Sequence, residues 1–365
     1  MQVCHFSSVH KVNDIRVFRK QCTTLAQGGH DVTLIACPAK VDGGPVRIVP
    51  VKPPKNRIAR MLFHSYRVYG LARRENADIY HFHDPELLPY ALLLKLQGRR
   101  VIYDSHECLV EDLVTKEWIP QLLRRPMAYV LEQIENFVGA RLSAIVAATP
   151  HIARRFQPVN AATAAINNYP LSTEFDHQHK DEAIERDGVC YVGAISFIRG
   201  IMPLLDSLDA TDGKIRFRLA GLFADESVER ACRNHRNWSR VEFHGQTDRQ
   251  GVADIYRRSF AGIVNFLPAP NHIHSQPNKL FEYMSAGIPV ICSDFALWKS
   301  VIEDGECGLC VDPASSEALA AAINILATDE SICTRFSRNG RRLIEQNFTW
   351  EREGEKLLEL YGKLR

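Results

Sequence analysis

The sequence predicts an α/β protein made of two doubly wound parallel sheets that face a cleft. Three observations carry that expectation. Short β-branched and aromatic runs alternate with longer amphipathic stretches, as strands covered on both faces by helices do. The chain has 365 residues, more than the roughly 100–200 of an ordinary domain. A polar interval, Asp176–Asp187, divides the twelve runs six and six and reads as a linker.

The first six runs are Val3–Ser7, Val32–Ala36, Arg47–Val51, Ile79–Phe82, Val101–Asp104 and Ala144–Ala148. The second six are Val189–Val192, Ile215–Ala220, Val241–His244, Gly262–Phe266, Val290–Ser293 and Gly308–Asp312. Helical patterns such as Asp14–Ala26 and Leu319–Leu326 lie between them. Ligands of such sheets bind beyond the carboxyl ends of the strands.

Composition excludes several classes. The chain is 45% hydrophobic and 24% charged, with a net charge of +2, which is ordinary for a globular protein. Residues 1–180 hold 23 basic and 16 acidic side chains, and the rest hold 22 and 27. A basic half joined to an acidic half suggests two units with different partners. No apolar run reaches the length of a spanning helix. Met1–Val9 reads as a buried strand and lacks the features of a signal peptide. The expectation is a cytoplasmic protein with reduced thiols. Cys307 and Cys310 form a lone C-x-x-C pair in an apolar stretch, read as buried structural thiols.

Residues 277–289 read P-N-K-L-F-E-Y-M-S-A-G-I-P. Asn278 is a good N-cap, Gly287 suits the position after the last turn, and Pro289 stops continuation. A helix N-terminus after a strand, with Lys279 on its first turn, is fit for a phosphate. Glu282, one turn on, is placed to accept hydrogen bonds from ribose hydroxyls. The plainer alternative leaves Glu282 complementing the dipole and Lys279 solvated.

This segment, with the A-G-I-P-V-I-C-S-D that ends it, resembles the donor-binding stretch of family 4 of the retaining glycosyltransferases, and P-N-K-L-F-E-Y-M resembles a sub-group of bacterial surface-polysaccharide enzymes. The resemblance implies the GT-B fold. It implies an acceptor domain over 1–175, a nucleotide-sugar domain over 188–345, and a helix over 346–365 that crosses back to the first domain. The family has two glutamates eight positions apart here. Glu282 matches the second, which holds the ribose, and His274 stands in place of the first. Y-V-G-A-I-S-F-I-R-G at 191–200 resembles the strand and loop opening the second domain. Ala194 replaces the usual Arg there, and Arg199 takes the position of a phosphate-binding Lys. V-E-F-H-G-Q-T-D at 241–248 resembles the loop near the base. The implied donor site is Gly193, Arg199, Gly245, His274, Asn278, Lys279, Leu280 and Glu282.

In the first half, V-I-Y-D-S-H-E at 101–107 resembles the strand whose terminal His faces the donor sugar, which points to His106. His83 and Asp84 follow the preceding strand and suit an acceptor, with Asp84 alternatively an N-cap. In the first loop Asp14 can cap a helix, and Arg16 stands in its first turn against the dipole preference. Asp14, Arg16, His83, Asp84 and Glu107 form the acceptor set, and His106, Lys279 and Arg199 the catalytic one. I-N-N-Y-P at 166–170 resembles the strip entering the interdomain hinge.

Residues 52–74 carry Lys52, Lys55, Arg57, Arg60, Arg67, Arg73 and Arg74 without an acid, interleaved with apolar residues. Such a segment suits an anionic membrane and so a lipid-linked glycan acceptor. Basic residues interleaved with aromatic ones also suit single-stranded nucleic acid, a rival ranked below because nothing else in the chain resembles a nucleic-acid motif. With no Asp-x-Asp motif, the reading is metal-independent transfer from a nucleotide diphosphate sugar, UDP first and GDP second. A 2-epimerase acting on the donor alone, or a non-catalytic binding subunit, remains as an alternative. A dinucleotide-dependent dehydrogenase is disfavoured, because neither opening turn has G-x-G-x-x-G.

Overall fold

Seven strands form the first sheet, and each pairs with its neighbours in parallel. They are β1 Gln2–Lys11, β2 Asp31–Cys37, β3 Arg47–Pro50, β4 Ile79–Phe82, β5 Arg100–Ser105, β6 Ala144–Ala147 and β7 Thr163–Ala165, in the order β3-β2-β1-β4-β5-β6-β7. The computed structural model describes residues 1–41, 44–56, 59–115, 119–175 and 185–364. Most of the Asp176–Asp187 linker therefore lies outside the described residues, as does Arg57. The chain divides into two compact units: Met1–Asn168 with Trp350–Arg365, and Tyr169–Thr349.

In the first unit β4 and β6 are buried at every position, which is why they read as unbroken apolar runs. The strand order reverses between β1 and β4. The residues just past the paired stretch of these two strands, Ser7–Ser8 and His83–Asp84, lie side by side there. β7 is a seventh strand where six were expected. Its three residues, Thr-Ala-Ala, pair with β6 at the sheet edge, and two alanines carry none of the β-branched signal. The helix after β1 opens on wide turns over Ile15–Cys22, with the N–H groups of Phe18 and Arg19 both donating to the Asp14 carbonyl. Arg16 and Lys20 lie on its buried face.

The last helix, Trp350–Lys363, completes this unit. Leu357 and Tyr361 are fully buried. Trp350 donates from Nε1 to Thr24 Oγ1 at 2.8 Å, and Glu353 accepts from the backbone N–H of Asn167 at 2.7 Å.

The second unit has six parallel strands in the order β10-β9-β8-β11-β12-β13. They are β8 Gly188–Val192, β9 Arg216–Ala220, β10 Val241–Gly245, β11 Ser259–Val264, β12 Val290–Ser293 and β13 Gly308–Val311. Here the order reverses between β8 and β11. The helix Asn278–Ala286 follows β11 and ends on Gly287 in the left-handed region. Its N-cap is Pro277, not Asn278. Asn278 is the first helical residue and makes no capping bond.

Candidate active site

Lys279 is the centre of the site in the second unit. Its side chain runs inward, with the residue 8% exposed, and Nζ has no hydrogen-bond partner. The ammonium sits 3.8 Å from the centre of the Tyr191 ring and 5.3 Å from that of Phe266. Ring faces attract a cation, but they do not replace the acceptors that water supplied. Burial pulls the amine well below its usual value, the charge of Arg199 adds to this, and Glu282 opposes it. Arg199 lies over the same Phe266 ring at 5.1 Å. Two cations thus share an aromatic floor at the carboxyl end of β8. An anion between them would relieve both the desolvation and the repulsion.

Backbone brings the loop after β8 close to Lys279. Gly193 has φ 136, and a Cβ there would stand 2.8 Å from Nζ, so only glycine leaves the ammonium its place. Its N–H donates to the Ala220 carbonyl, and the N–H of Gly221 donates to the Gly245 carbonyl. The loop is held from below by Asn265, fully buried, which donates to the carbonyls of Gly200 and Pro313. Tyr191 donates to the Ala194 carbonyl at 2.7 Å, and burial pushes its phenol up to about 12, with Arg199 opposing.

The other donor residues divide. Leu280 is buried, and its N–H donates to the Pro277 carbonyl. Glu282 is half-buried and already engaged: Arg249 donates to Oε1 at 3.1 Å and Tyr256 to Oε2 at 3.0 Å. Arg249 also meets Glu174 at 2.5 Å. His274 is exposed. The histidine close to the aromatic floor is instead His272, 6% exposed, with its ring 4.7 Å from Phe266. Tyr191, Phe266 and His272 were not selected from the sequence. The signal available was an aromatic residue near the carboxyl end of each switch-point strand.

The first unit holds a buried polar ladder. Asp104, fully buried at the end of β5, accepts from Arg16 through both oxygens at 2.7 and 3.2 Å and from Gln21 at 2.7 Å. His83 Nδ1 lies 3.0 Å from the same carboxylate and donates to it. His83 Nε2 lies 2.9 Å from His5 Nδ1, a hydrogen bond whose direction follows the tautomers. Tyr361 bridges His5 Nε2 and His81 Nδ1 at 3.2 and 2.8 Å. Burial pushes the Asp104 carboxyl up, but Arg16, His106 and His83 hold it well below the usual range.

This ladder corrects the expectation for Arg16. The residue is 5% exposed, and its third bond goes to the Ile166 carbonyl. It anchors the unit internally because the wide first turns rotate it onto the sheet. Lys20 likewise donates to the carbonyl and side chain of Asn168. Asp84 is not a capping residue. It occupies the N-cap position of Pro85–Leu87 without a capping bond and accepts from Ser7 Oγ, Ser8 N and Ser8 Oγ. Asp14 does cap its helix, accepting from Val17 N–H. Glu107 is exposed.

His106 follows this strand, with its ring 5.5 Å from that of His83 and 5.0 Å from that of His10. Its Nε2 is buried without a hydrogen-bond partner and lies 3.7 Å from Asp104. Burial drives the imidazole down to about 3, against Asp104 and with the help of Arg16, His83 and His10. His10 behaves oppositely. Burial lowers it, but the hydrogen bond to Asp14 and the charges of Asp84, Asp14 and Asp104 raise it to about 9. Asp14 is raised by burial, yet His10 brings it down to about 2.

A pH signature follows. The His10 contribution is full below about pH 6.5 and fades as pH rises through about 9; the Asp14 share fades as pH falls through about 2. His10→Asn should therefore lose up to about 3 kcal/mol near pH 5–6. The gap to the parent should close above pH 9 in denaturant melts. An equal gap at pH 5 and pH 10 would contradict the assignment.

Among the described residues, two groups are tight enough to hold a metal ion: His81, His83 and Asp104, and separately Cys108, Glu111 and His151. The first is closed by its own contacts. In the second, His151 Nε2 meets Glu111 at 2.8 Å.

Comparison with known proteins fits both sheets. Residues 16–165 match the family model Glycosyltransferase Family 4, and residues 172–343 match Glycosyl transferases group 1. The chain is 24% identical over 305 residues to O-antigen chain mannosyltransferase C of Escherichia coli, covering 80% of this chain and 76% of that protein. It is 25% identical over 281 residues to D-rhamnosyltransferase WbpZ of Pseudomonas aeruginosa, covering 75% and 70%. The structure of HepE from Anabaena in complex with UDP aligns with a TM-score of 0.72 at 14% identity, over 100% of both chains. With both halves matched in sequence and both sheets in fold, the chain belongs to the family 4 glycosyltransferases of GT-B architecture.

Proposed function

We propose that the protein is a retaining hexosyltransferase of surface-polysaccharide synthesis. It moves a sugar from a nucleotide diphosphate sugar to a hydroxyl of a lipid-linked glycan. The observation that carries this reading is the buried ammonium of Lys279, unpartnered beside Arg199 at the switch point of a parallel sheet. A diphosphate supplies what that pair lacks. The relatives named for O-antigen mannosyl and D-rhamnosyl transfer support the polysaccharide assignment.

In the reaction the bond from the anomeric carbon to the diphosphate breaks, and a bond to the acceptor oxygen forms on the same face. The acceptor proton passes to the leaving phosphate. Lys279, Arg199 and the N-terminus of the helix Asn278–Ala286 stabilise the charge that develops there, without a metal. Gly193, Gly245, Asn278, Leu280 and His274 complete the donor set. Glu282 takes the ribose hydroxyls, and Arg249 and Tyr256 orient its carboxylate for them. His106, neutral and with a free Nε2, hydrogen-bonds the transferred sugar rather than attacking it. Asp14 and Glu107 serve the acceptor, and His83 and Asp84, buried and bonded within the unit, hold the switch-point strands behind them.

The basic segment 52–74 rests on an anionic membrane. Met61, Leu62, Phe63 and Tyr66 are 58–73% exposed beside its lysines and arginines. Arg60 takes no part, being paired with Glu86 at 2.7 Å. Among the described residues no helix is long and apolar enough to cross a membrane.

A thermal-shift titration with UDP, GDP and ADP tests the donor site. At 100 times the dissociation constant a ligand stabilises by about 2.7 kcal/mol. UDP is expected to give the largest shift, with GDP second, and EDTA should leave it unchanged. No shift with any nucleotide from folded protein would overturn the reading, and a shift that EDTA removes would overturn its metal independence.

A further inference from the structure

We propose that the second unit carries another anion site, at the amino ends of its strands, for a phosphorylated metabolite of about sugar size. It lies at the other end of the sheet from Lys279. A cavity of about 970 Å³ opens there, lined by Arg186, Arg338, Arg341 and Arg342. Arg186 precedes β8, and Phe260 and Gly287, also in the wall, precede or begin β11 and β12. The volume suits a small ligand.

Three of the arginines come from one helix, Glu330–Asn347, at positions i, i+3 and i+4, so they share a face. Glu330 and Glu345 also line the cavity, leaving four cations against two acids. Those acids do not neutralise the wall. Among the described residues no carboxylate lies within 4.0 Å of Arg186, Arg338 or Arg342, and the one hydrogen bond of Arg342 goes to Asn339 at 3.1 Å. Arg186, Arg338 and Arg342, with few protein acceptors among the described residues, make a phosphate cradle, since each presents a fork matched to phosphate oxygens. Thr334 and Ser337 on the same wall offer hydroxyls for a sugar body.

Arg341 ties this cavity to the donor helix. It lies across Gly287, where an added Cβ would stand 2.0–2.2 Å from the guanidinium atoms, and its Nη2 is 3.5 Å from the Ala286 carbonyl. That carbonyl is at the negative end of the helix that begins beside Lys279. An anion in the cavity draws on the cation that complements this end.

Inorganic pyrophosphate is the probe, titrated by calorimetry at low ionic strength. Because it also suits the donor site, two variants separate the sites. Lys279→Ala should retain a binding event. Arg338→Glu/Arg342→Glu should weaken that event by at least about tenfold, while keeping the UDP thermal shift. Arg341 is left in place because it packs on Gly287. If the double charge reversal fails to fold, Arg338→Gln/Arg342→Gln is expected to weaken binding about threefold or more by the same titration. Loss of all binding in Lys279→Ala, or unchanged affinity in the folded arginine variant, would overturn the second site and leave the donor assignment untouched.

Discussion

Replacing Lys279 is expected to lower turnover about 10²–10³-fold, the scale seen when one preorganised donor to a developing anion is removed. Lys279→Met is the informative version because it keeps most of the buried stem. The wild-type ammonium is desolvated, without a hydrogen-bond partner, beside the ring faces of Tyr191 and Phe266. Such a charge destabilises the empty fold. The methionine variant should therefore melt no lower than its parent while losing nearly all activity. The loss should fall chiefly on kcat, since leaving-group charge is greatest in the transition state. A folded variant that turns over near the parental rate would remove Lys279 from the mechanism. One that simply melts low would make it a packing residue.

The largest loss of stability is expected from Arg16→Ala. Asp104 is fully buried and takes two of its hydrogen bonds from that guanidinium. Among the described residues, Gln21 and His83 are then left to hydrogen-bond to it. Breaking a buried pair from one side costs about 3–5 kcal/mol. Chemical denaturation near neutral pH should show that drop with an unchanged dependence on denaturant. The companion Arg16→Leu/Asp104→Leu should recover part of it, because no lone charge is left inside. A drop below 1 kcal/mol in Arg16→Ala would mean that Asp104 is hydrated or protonated in the variant at little cost.

What the sequence disclosed about fold and site follows the range of the interactions. Runs such as Ile79–Phe82 and Val290–Ser293 announce strands because the sheet buries both their faces. Gly287 announces a helix end because the left-handed turn there needs glycine. Lys279 and Arg199 were legible as cations close to helix and loop starts, which is local geometry. β7 was not, since Thr163–Ala165 becomes a strand only through β6. The fate of Arg16 was not, because Asp104 lies 88 positions away. The same holds for Arg249, which joins Glu282 across 33 positions. His10 takes its first upward pull from Asp14, four positions on, but the rest comes from Asp84 and Asp104 on other strands, which the sequence does not place.

The first unit is discontinuous in sequence, and this orders events during synthesis. Tyr361 hydrogen-bonds both His5 and His81 in the ladder, and Trp350 docks on Thr24. While a ribosome is still making residues 350–364, the first 168 residues have their sheet strands but lack the phenol that completes two buried imidazoles. The second unit, Tyr169–Thr349, is continuous in sequence and has by then been synthesised in full. The later-made unit can thus finish folding before the earlier one, reversing the usual amino-to-carboxyl order of vectorial folding. A released chain truncated before Trp350 would hold a protease-resistant second unit and a nicked first one.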